Sequence, residues 1–314
     1  MNRLIIERTL GLAQLQDLGR FGVRHIGVTQ GGALDWIAAG WANRLLGNDP
    51  DCAVIEIPLG GLTLHCQQDS TLALTGADLA ATLDQAPLIP WRSFVMRRGQ
   101  QLIFHPPITG VRGYLAAPGG FFAPRILGSR STVRREKLGG LNGEGEPLRS
   151  GDCLTFAGDH RPVLMLPSAL IPDYSIPALL ALLPGPRLSG FSGRSLFDAF
   201  NRFWQIDSRA DRMGVHLNGP ILHYQGAGMV SEGLPLGAVQ VPPDGQPIAL
   251  LNDRQTIGGY PCLGTLTPQA CARLAQCPAG TQVMMKTIGS EAAKRQHLDL
   301  LGQLAAPLPS VASR

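Results

Sequence analysis

Lysine is almost missing from this chain. Of 27 basic residues only Lys137, Lys286 and Lys294 are lysines. None stands in a glycine-rich loop, and no G-x-x-x-x-G-K-[ST] run occurs, which argues against a Walker-type ATP cradle. Aromatics are scarce at 6%, and the net charge of +4 is scattered with no block of like charges. Nucleic-acid binding calls for a clustered basic stripe interleaved with aromatics, so no nucleic-acid partner is expected. No run of 18 apolar residues exists, which leaves no candidate membrane span. The apolar start of Met1–Glu7 is too short for a signal core. The six cysteines (52, 66, 153, 262, 271 and 277) form no C-x-x-C, and six in 314 residues is no disulfide scaffold. The seven histidines form neither H-x-H nor H-E-x-x-H, so no metal site is expected. A G-x-S-x-G elbow is missing too; "GFSG" at 190–193 does not qualify. These absences lead to the expectation of a reduced, cytoplasmic protein.

What is present is turn-rich and apolar. Hydrophobic residues make up 44% of the chain, with 39 glycines and 25 prolines. Short apolar runs between Gly/Pro turns predict a β-rich architecture. Residues 3–8 read as a strand. Trp36 to Leu46 reads as a buried helix capped by Asp35 and stopped at Gly47. Residues 53–117 have the texture of a meander or barrel. "PVLMLP" (162–167) reads as a strand inside a linker over 157–174. Residues 195–206 predict an amphipathic helix with Leu196, Ala199, Phe200, Phe203 and Trp204 on one face. Residues 234–251 predict a hairpin turning at Pro243-Asp244-Gly245. Thr267-Pro268 opens a third helix toward Cys277, and 290–304 forms a terminal one, with the last ten residues frayed. No internal repeat is evident.

Four polar constellations carry the chemistry. They are "QDLGRFG" with Asp17 and Arg20, Asp35 with Asn43, "SRADRMGVHLNGP" followed by Ser231-Glu232-Gly233, and "ALLNDRQTIGGYPCLG" at 249–264. In extended chain, adjacent side chains point to opposite faces. Asp211 therefore does not pair readily with Arg212, nor Asp253 with Arg254. If the two segments are neighbours, Asp211 meets Arg254 or Asp253 meets Arg212. Such a pair serves either as a buried network that fixes register or as a site where Arg holds an anion while Asp acts as base.

The blocks "LQDLGRFGVRHIGVTQGGALD", "ANRLLGND", "VIEIPLGGLTL", "ALTGADLAATLD", "YLAAPGGF", "LGSRST", "DRMGVHLNGP", "SEGLPLGAVQVPPDGQPIALLNDRQTIGGYP" and "LAQCPAG" occur in this order over about residues 4–290. In them the chain resembles the biotin-dependent carboxyltransferase family, also called allophanate hydrolase subunit 2, whose bacterial members include the C subunit of ATP-dependent 5-oxoprolinase. The resemblance implies a mainly β fold of two cyclophilin-like β-barrel domains, each with one or two short buried helices. Its expected domains are 1–160 and 161–290, with a helical tail at 291–314. It implies the B subunit of 5-oxoprolinase as direct partner and the A subunit of the same enzyme as a further one, the three converting 5-oxoproline to glutamate with ATP, whose site is not identified in this chain. The expected base is Asp211, Glu232 or Asp253. Arg212 or Arg254 is expected to hold the substrate carboxylate, and Asn43 and Gln240 its amide. Arg20, Asp35, Gln255, Thr256 and Tyr260 complete the expected binding set. The alternatives are carboxyl transfer from biotin to a urea-like or amide substrate, and a non-enzymatic antagonist of a kinase-inhibitor protein. Three positions depart from the family pattern: "GGLNGEGEP" lacks an Arg, His216 replaces an Arg, and Cys262 replaces a Lys.

Overall fold

A computed structural model describes residues 1–158, 160–226 and 230–307. The chain divides into two compact units. One comprises Met1–Phe21, Gly31–Asp173 and the chain from Gln303. The other comprises Gly22–Gln30 and Tyr174–Gly302.

In the first unit a six-stranded sheet runs in the order Cys153–Phe156, Asn2–Arg8, Leu62–Cys66, Gln101–Phe104, Thr82–Leu83 and Ala86–Pro87. A five-stranded sheet runs Gln14–Gln16, Val54–Pro58, Thr109–Ala116, Ser70–Asp78 and Arg92–Met96. All these pairings are antiparallel, and both sheets feed one core that includes Leu4, Leu64, Leu74, Phe104, Leu115 and Phe156. Helix α1 (Trp36–Leu45) buries Trp41, Ala42, Asn43 and Leu45. Its Asp35 cap accepts the Ala38 N–H. Asn43 is satisfied where it is buried, donating to Cys52 O at 2.8 Å and accepting from Asn48 at 3.0 Å. Beneath the start of the helix, Glu56 accepts from Leu34 N–H and Tyr114 O–H, both at 2.9 Å, while Asp35 N–H donates to the Tyr114 oxygen. Burial, and next the charge of Glu56, push the Tyr114 hydroxyl well above its ordinary value.

The second unit is a closed seven-stranded barrel in the order Ala178–Pro184, Cys262–Leu266, Ala238–Gln240, Ile248–Leu250, Gly214–Asn218, Trp204–Ile206 and Gln282–Thr287. The first and last of these strands pair parallel and close the barrel. The expected hairpin forms, with Val239 opposite Ala249 and Gln240 opposite Ile248. Helix α3 (Pro268–Leu274) starts where Thr267 accepts the Ala270 N–H. It ends three residues short of the expected Cys277.

Helix α2 (Gly193–Asn201) corrects the reading of 195–206. Arg202 turns to extended backbone, and Trp204–Ile206 becomes a barrel strand. The buried helix positions are Ser195, Asp198 and Ala199, while Phe203 stands 48% exposed. The tryptophan is pulled into the barrel, its indole N–H donating to Ala199 O at 3.1 Å, and that tertiary gain ends the helix. "PVLMLP" forms no strand; only Met165 makes an isolated bridge, to Arg92. Helix α4 (Ser290–Ala305) buries only Ala293. The expected fraying from 305 falls, beyond residue 307, outside the described residues. No helix of the described residues is long and apolar enough to cross a membrane.

Candidate functional site

The polar residues of the 249–264 stretch lie at the base of the barrel's hairpin. Arg212 and Asp253 pair through two parallel hydrogen bonds, Nε to Oδ2 at 3.0 Å and Nη2 to Oδ1 at 3.1 Å. Of the two cross-pairings that the sequence left open, this one forms. The backbone locks the same neighbours, with Asp253 N–H donating to Arg212 O and Leu251 N–H to Met213 O. Asp211 instead folds back on its own turn, one carboxylate oxygen accepting from the N–H groups of Met213 and Gly214.

Arg254 is 3% exposed and donates from Nε to Leu234 O and from Nη1 to Leu251 O. Arg24 reaches the same place: its Nη2 donates to the carbonyls of Leu234, Gln255 and Thr256. Arg254 and Arg24 thus share the Leu234 carbonyl. Burial, with the like charge of Arg24 second, lowers Arg254 to about 10. The Arg24 contacts anchor the Gly22–Gln30 segment to the barrel unit. No pattern in the sequence points to this anchor, because Arg24 lies some two hundred residues from its acceptors.

Glu232 lies on a two-residue strand, Glu232–Gly233, paired with Ile257–Gly258. Its carboxylate accepts from Arg187 Nη2 in an exposed ion pair. Gln240 is buried, and its amide donates to Tyr260 O at 3.4 Å. A Cβ on Gly258 would sit 2.7 Å from Leu234 Cδ1 and 3.0 Å from Gln240 Nε2, so glycine there lets the ribbon lie on the glutamine. Gly259, Tyr260 and Pro261 continue into the wall of a cleft of about 650 Å³ whose other side is Tyr224, Val241 and Pro242. A second cleft of about 510 Å³ shares Tyr224, Gln225 and Gly226 and is edged by Arg187 and Phe191. The two therefore form one continuous depression. Its aromatic wall is fixed: Phe191 meets Tyr224 edge-to-face with ring centroids 4.9 Å apart, and Gln225 N–H donates to Gly190 O at 2.7 Å.

The structure thus places Arg212 and Asp253 in one pair and Arg254 among buried carbonyls, with the Gln255 and Thr256 carbonyls taken by Arg24, and none of these residues lines the depression. Of the other expected residues, Tyr260 lines the depression itself, Gln240 is buried and bonded to the Tyr260 carbonyl, and Glu232 is tied to the rim through its ion pair with Arg187. Arg20, Asp35 and Asn43 belong to the first unit. Arg20 is 1% exposed and donates to Ile126 O and Ser131 O. The Cys262 thiol, raised chiefly by burial, donates to Gly264 O at 3.1 Å. Sequence reasoning missed Arg187, Tyr224 and Gln225, because each is isolated in a loop with no motif around it.

The Gly31–Gly32 turn ahead of α1 has the outline of a phosphate loop but does not fit a triphosphate. The amides that would cradle it are taken: Leu34 N–H by Glu56, Asp35 N–H by Tyr114, and Ala38 N–H by Asp35. Two carboxylates stand where phosphate charge would fall. Among the described residues no group of three His, Cys, Asp or Glu side chains gathers to hold a metal.

The mainly β architecture with its closed seven-stranded barrel is compatible with a carboxyltransferase-type module. The sequence model of the carboxyltransferase domain, subdomain A and B, matches residues 26–287, and the chain belongs to that family. It is 38% identical to the C subunit of 5-oxoprolinase from Haemophilus influenzae over 284 residues, 90% of either chain. It is 39% identical to the C subunit of 5-oxoprolinase from Escherichia coli over 288 residues, 91% of either chain. Among solved structures, K. lactis urea amidolyase superposes with a TM-score of 0.90 over the whole of this chain at 23% identity, which shows the shared fold; the match spans 20% of that larger protein.

Proposed function

We propose that this chain is the C subunit of a 5-oxoprolinase, working in the cytoplasm with the B and A subunits to hydrolyse 5-oxoproline to glutamate at the expense of ATP. The observation that carries the reading is the 38–39% identity to two proteins of that name along nine-tenths of both sequences. The substrate is a small cyclic amide bearing a carboxylate. Its opening needs the amide oxygen activated and water delivered to the carbonyl carbon. The amides behind the Gly31–Gly32 turn are occupied by Glu56, Tyr114 and Asp35, which supports assigning the phosphoryl step to the partner subunits.

The depression supplies binding and proton transfer. Tyr224 and Tyr260 flank the ring, and Gln240 holds the 260–261 wall in place through the Tyr260 carbonyl. Of the three carboxylates expected as base, Asp253 is bound bidentately by Arg212 and Asp211 is occupied by two backbone amides. Glu232, held only by its exposed pair with Arg187, is assigned to take the proton from the attacking water. The same tyrosine walls fit the biotin of the carboxyl-transfer alternative, which would supply an activated carboxyl group; Tyr224 and Tyr260 would hold its ring. Addition of avidin separates the two readings. Glutamate release that avidin leaves unchanged supports 5-oxoproline hydrolysis, and release that avidin abolishes rejects it.

A further inference from the structure

Neither Arg212 nor Arg254, the two arginines expected to hold a substrate carboxylate, presents its guanidinium to the depression. Arg212 is bound to Asp253, and Arg254 is buried among carbonyls. A different arginine does stand there. Arg187 edges the 510 Å³ cleft at the start of the short 3-10 turn Leu188–Gly190, with its side chain 41% exposed. Its partner is Glu232, itself 52% exposed. An exposed pair of this kind contributes little to folding, so an incoming carboxylate displaces Glu232 at small cost and gains the planar, two-pronged donor geometry of a guanidinium.

The surroundings fit a small cyclic acid. The ring of Tyr224 lies directly over Gly190 and Gly226, where any side chain would strike it. Phe191 braces the same ring from its edge. The Tyr224 ring beside Arg187 is therefore a fixed aromatic wall in an otherwise polar cleft that Ser189 and Gln225 also line. The strand that carries Glu232 pairs with Ile257–Gly258, which leads straight into the Gly259–Pro261 wall. A ligand that takes Arg187 thus releases Glu232 on the strand paired to the segment that leads into this wall.

We infer that Arg187 is the carboxylate anchor of this depression and that Glu232 is an internal competitor for it, exchanged on ligand binding. The inference rests on the proposed function only for the choice of ligand. No covalent step is involved: one carboxylate replaces another on a guanidinium.

The two residues have effects of opposite sign, which a purely structural ion pair does not. The experiment is a calorimetric titration of the full-length chain with 5-oxoproline and with 2-pyrrolidinone, which has the ring but not the carboxylate. Arg187→Ala weakens 5-oxoproline binding by about tenfold or more. Glu232→Gln tightens it by about two- to fivefold, the ratio that a weak exposed pair represents. Arg187→Lys falls between wild type and alanine, and 2-pyrrolidinone responds to none of the three. Wild-type chain that binds no 5-oxoproline, an affinity indifferent to Arg187, or a Glu232→Gln chain that weakens as Arg187→Ala does would overturn the inference. Activity of the assembled complex separates this from the wider reading. ATP-dependent glutamate release with an unchanged KM in Arg187→Ala sinks the anchor alone. Arg187-dependent binding in a complex that releases no glutamate sinks the reading and leaves the anchor.

Discussion

Asp253 and Arg212, 41 residues apart, meet side by side through two hydrogen bonds of 3.0 and 3.1 Å, and their side chains keep only 11% and 14% of their exposure. This pair, with the backbone bonds from Asp253 to Arg212 and from Leu251 to Met213, ties the chain entering the strand Gly214–Asn218 to the chain leaving the strand Ile248–Leu250. Breaking a mostly buried pair leaves an uncompensated charge and costs about 3–5 kcal/mol. Asp253→Ala is expected to lose stability in that range in urea unfolding. Adding Arg212→Ala to it costs less than the sum of the two single changes, because the second partner no longer has a charge to strand. Strict additivity would show that the pair does not act as a unit.

Arg24 makes the corresponding tie for the Gly22–Gln30 segment. Its Nη2 serves three carbonyls at 2.8 to 3.2 Å. Charged hydrogen bonds contribute about 1.5–3 kcal/mol in such settings. Arg24→Ala is expected to speed amide exchange of residues 22–30 by about tenfold or more while the strand Gln282–Thr287, remote from these bonds, keeps its protection. Uniform loss of protection through the barrel would contradict a local anchor.

Gly190 tests the aromatic wall. A methyl group there overlaps the Tyr224 ring, so the ring must move. Gly190→Ala is expected to cost about 1–3 kcal/mol as an overpacked site and to weaken binding of both 5-oxoproline and 2-pyrrolidinone, because the wall serves the ring and not the carboxylate. Changed affinity for only one of the two ligands would contradict that role.

Alkaline stability follows from Cys271, a buried thiol pushed up to about 12 by desolvation, the nearby Arg254 opposing. Folding holds the proton that the unfolded chain releases above the ordinary thiol value of 9.0. The stabilisation is therefore complete below pH 9 and is lost as pH rises toward 12, at a slope of about 1.4 kcal/mol per pH unit for this group. Tyr114, also raised by burial, adds to the decline above its ordinary value of 10.0. Cys271→Ala is expected to flatten the first part of that limb in denaturant melts between pH 9 and 10. A limb of unchanged slope would assign the loss to other groups.

Local chemistry was readable where one segment decides its own structure. Asp35 and Thr267 cap the helices they were expected to cap, and Pro243-Asp244-Gly245 turns the hairpin. The boundary at Asn201 was not readable, since Trp204 leaves a helical pattern for a place in the barrel that only distant strands create. The candidate site divides in the same way. The polarity of 249–264 announced a network, and adjacent-residue geometry narrowed its pairing to two choices. Which arginines are consumed in holding the fold, and which one faces a cleft, depends on contacts such as Arg24 to Leu234 and Arg187 to Glu232, between segments that share no motif.

The most direct test of the proposed function is glutamate release from 5-oxoproline by this chain reconstituted with its B and A partner subunits, with and without ATP. The account predicts ATP-dependent release that is lost when this chain is omitted and that falls roughly 10²–10⁴-fold in Glu232→Gln without loss of assembly. Release that proceeds equally well without this chain would contradict it.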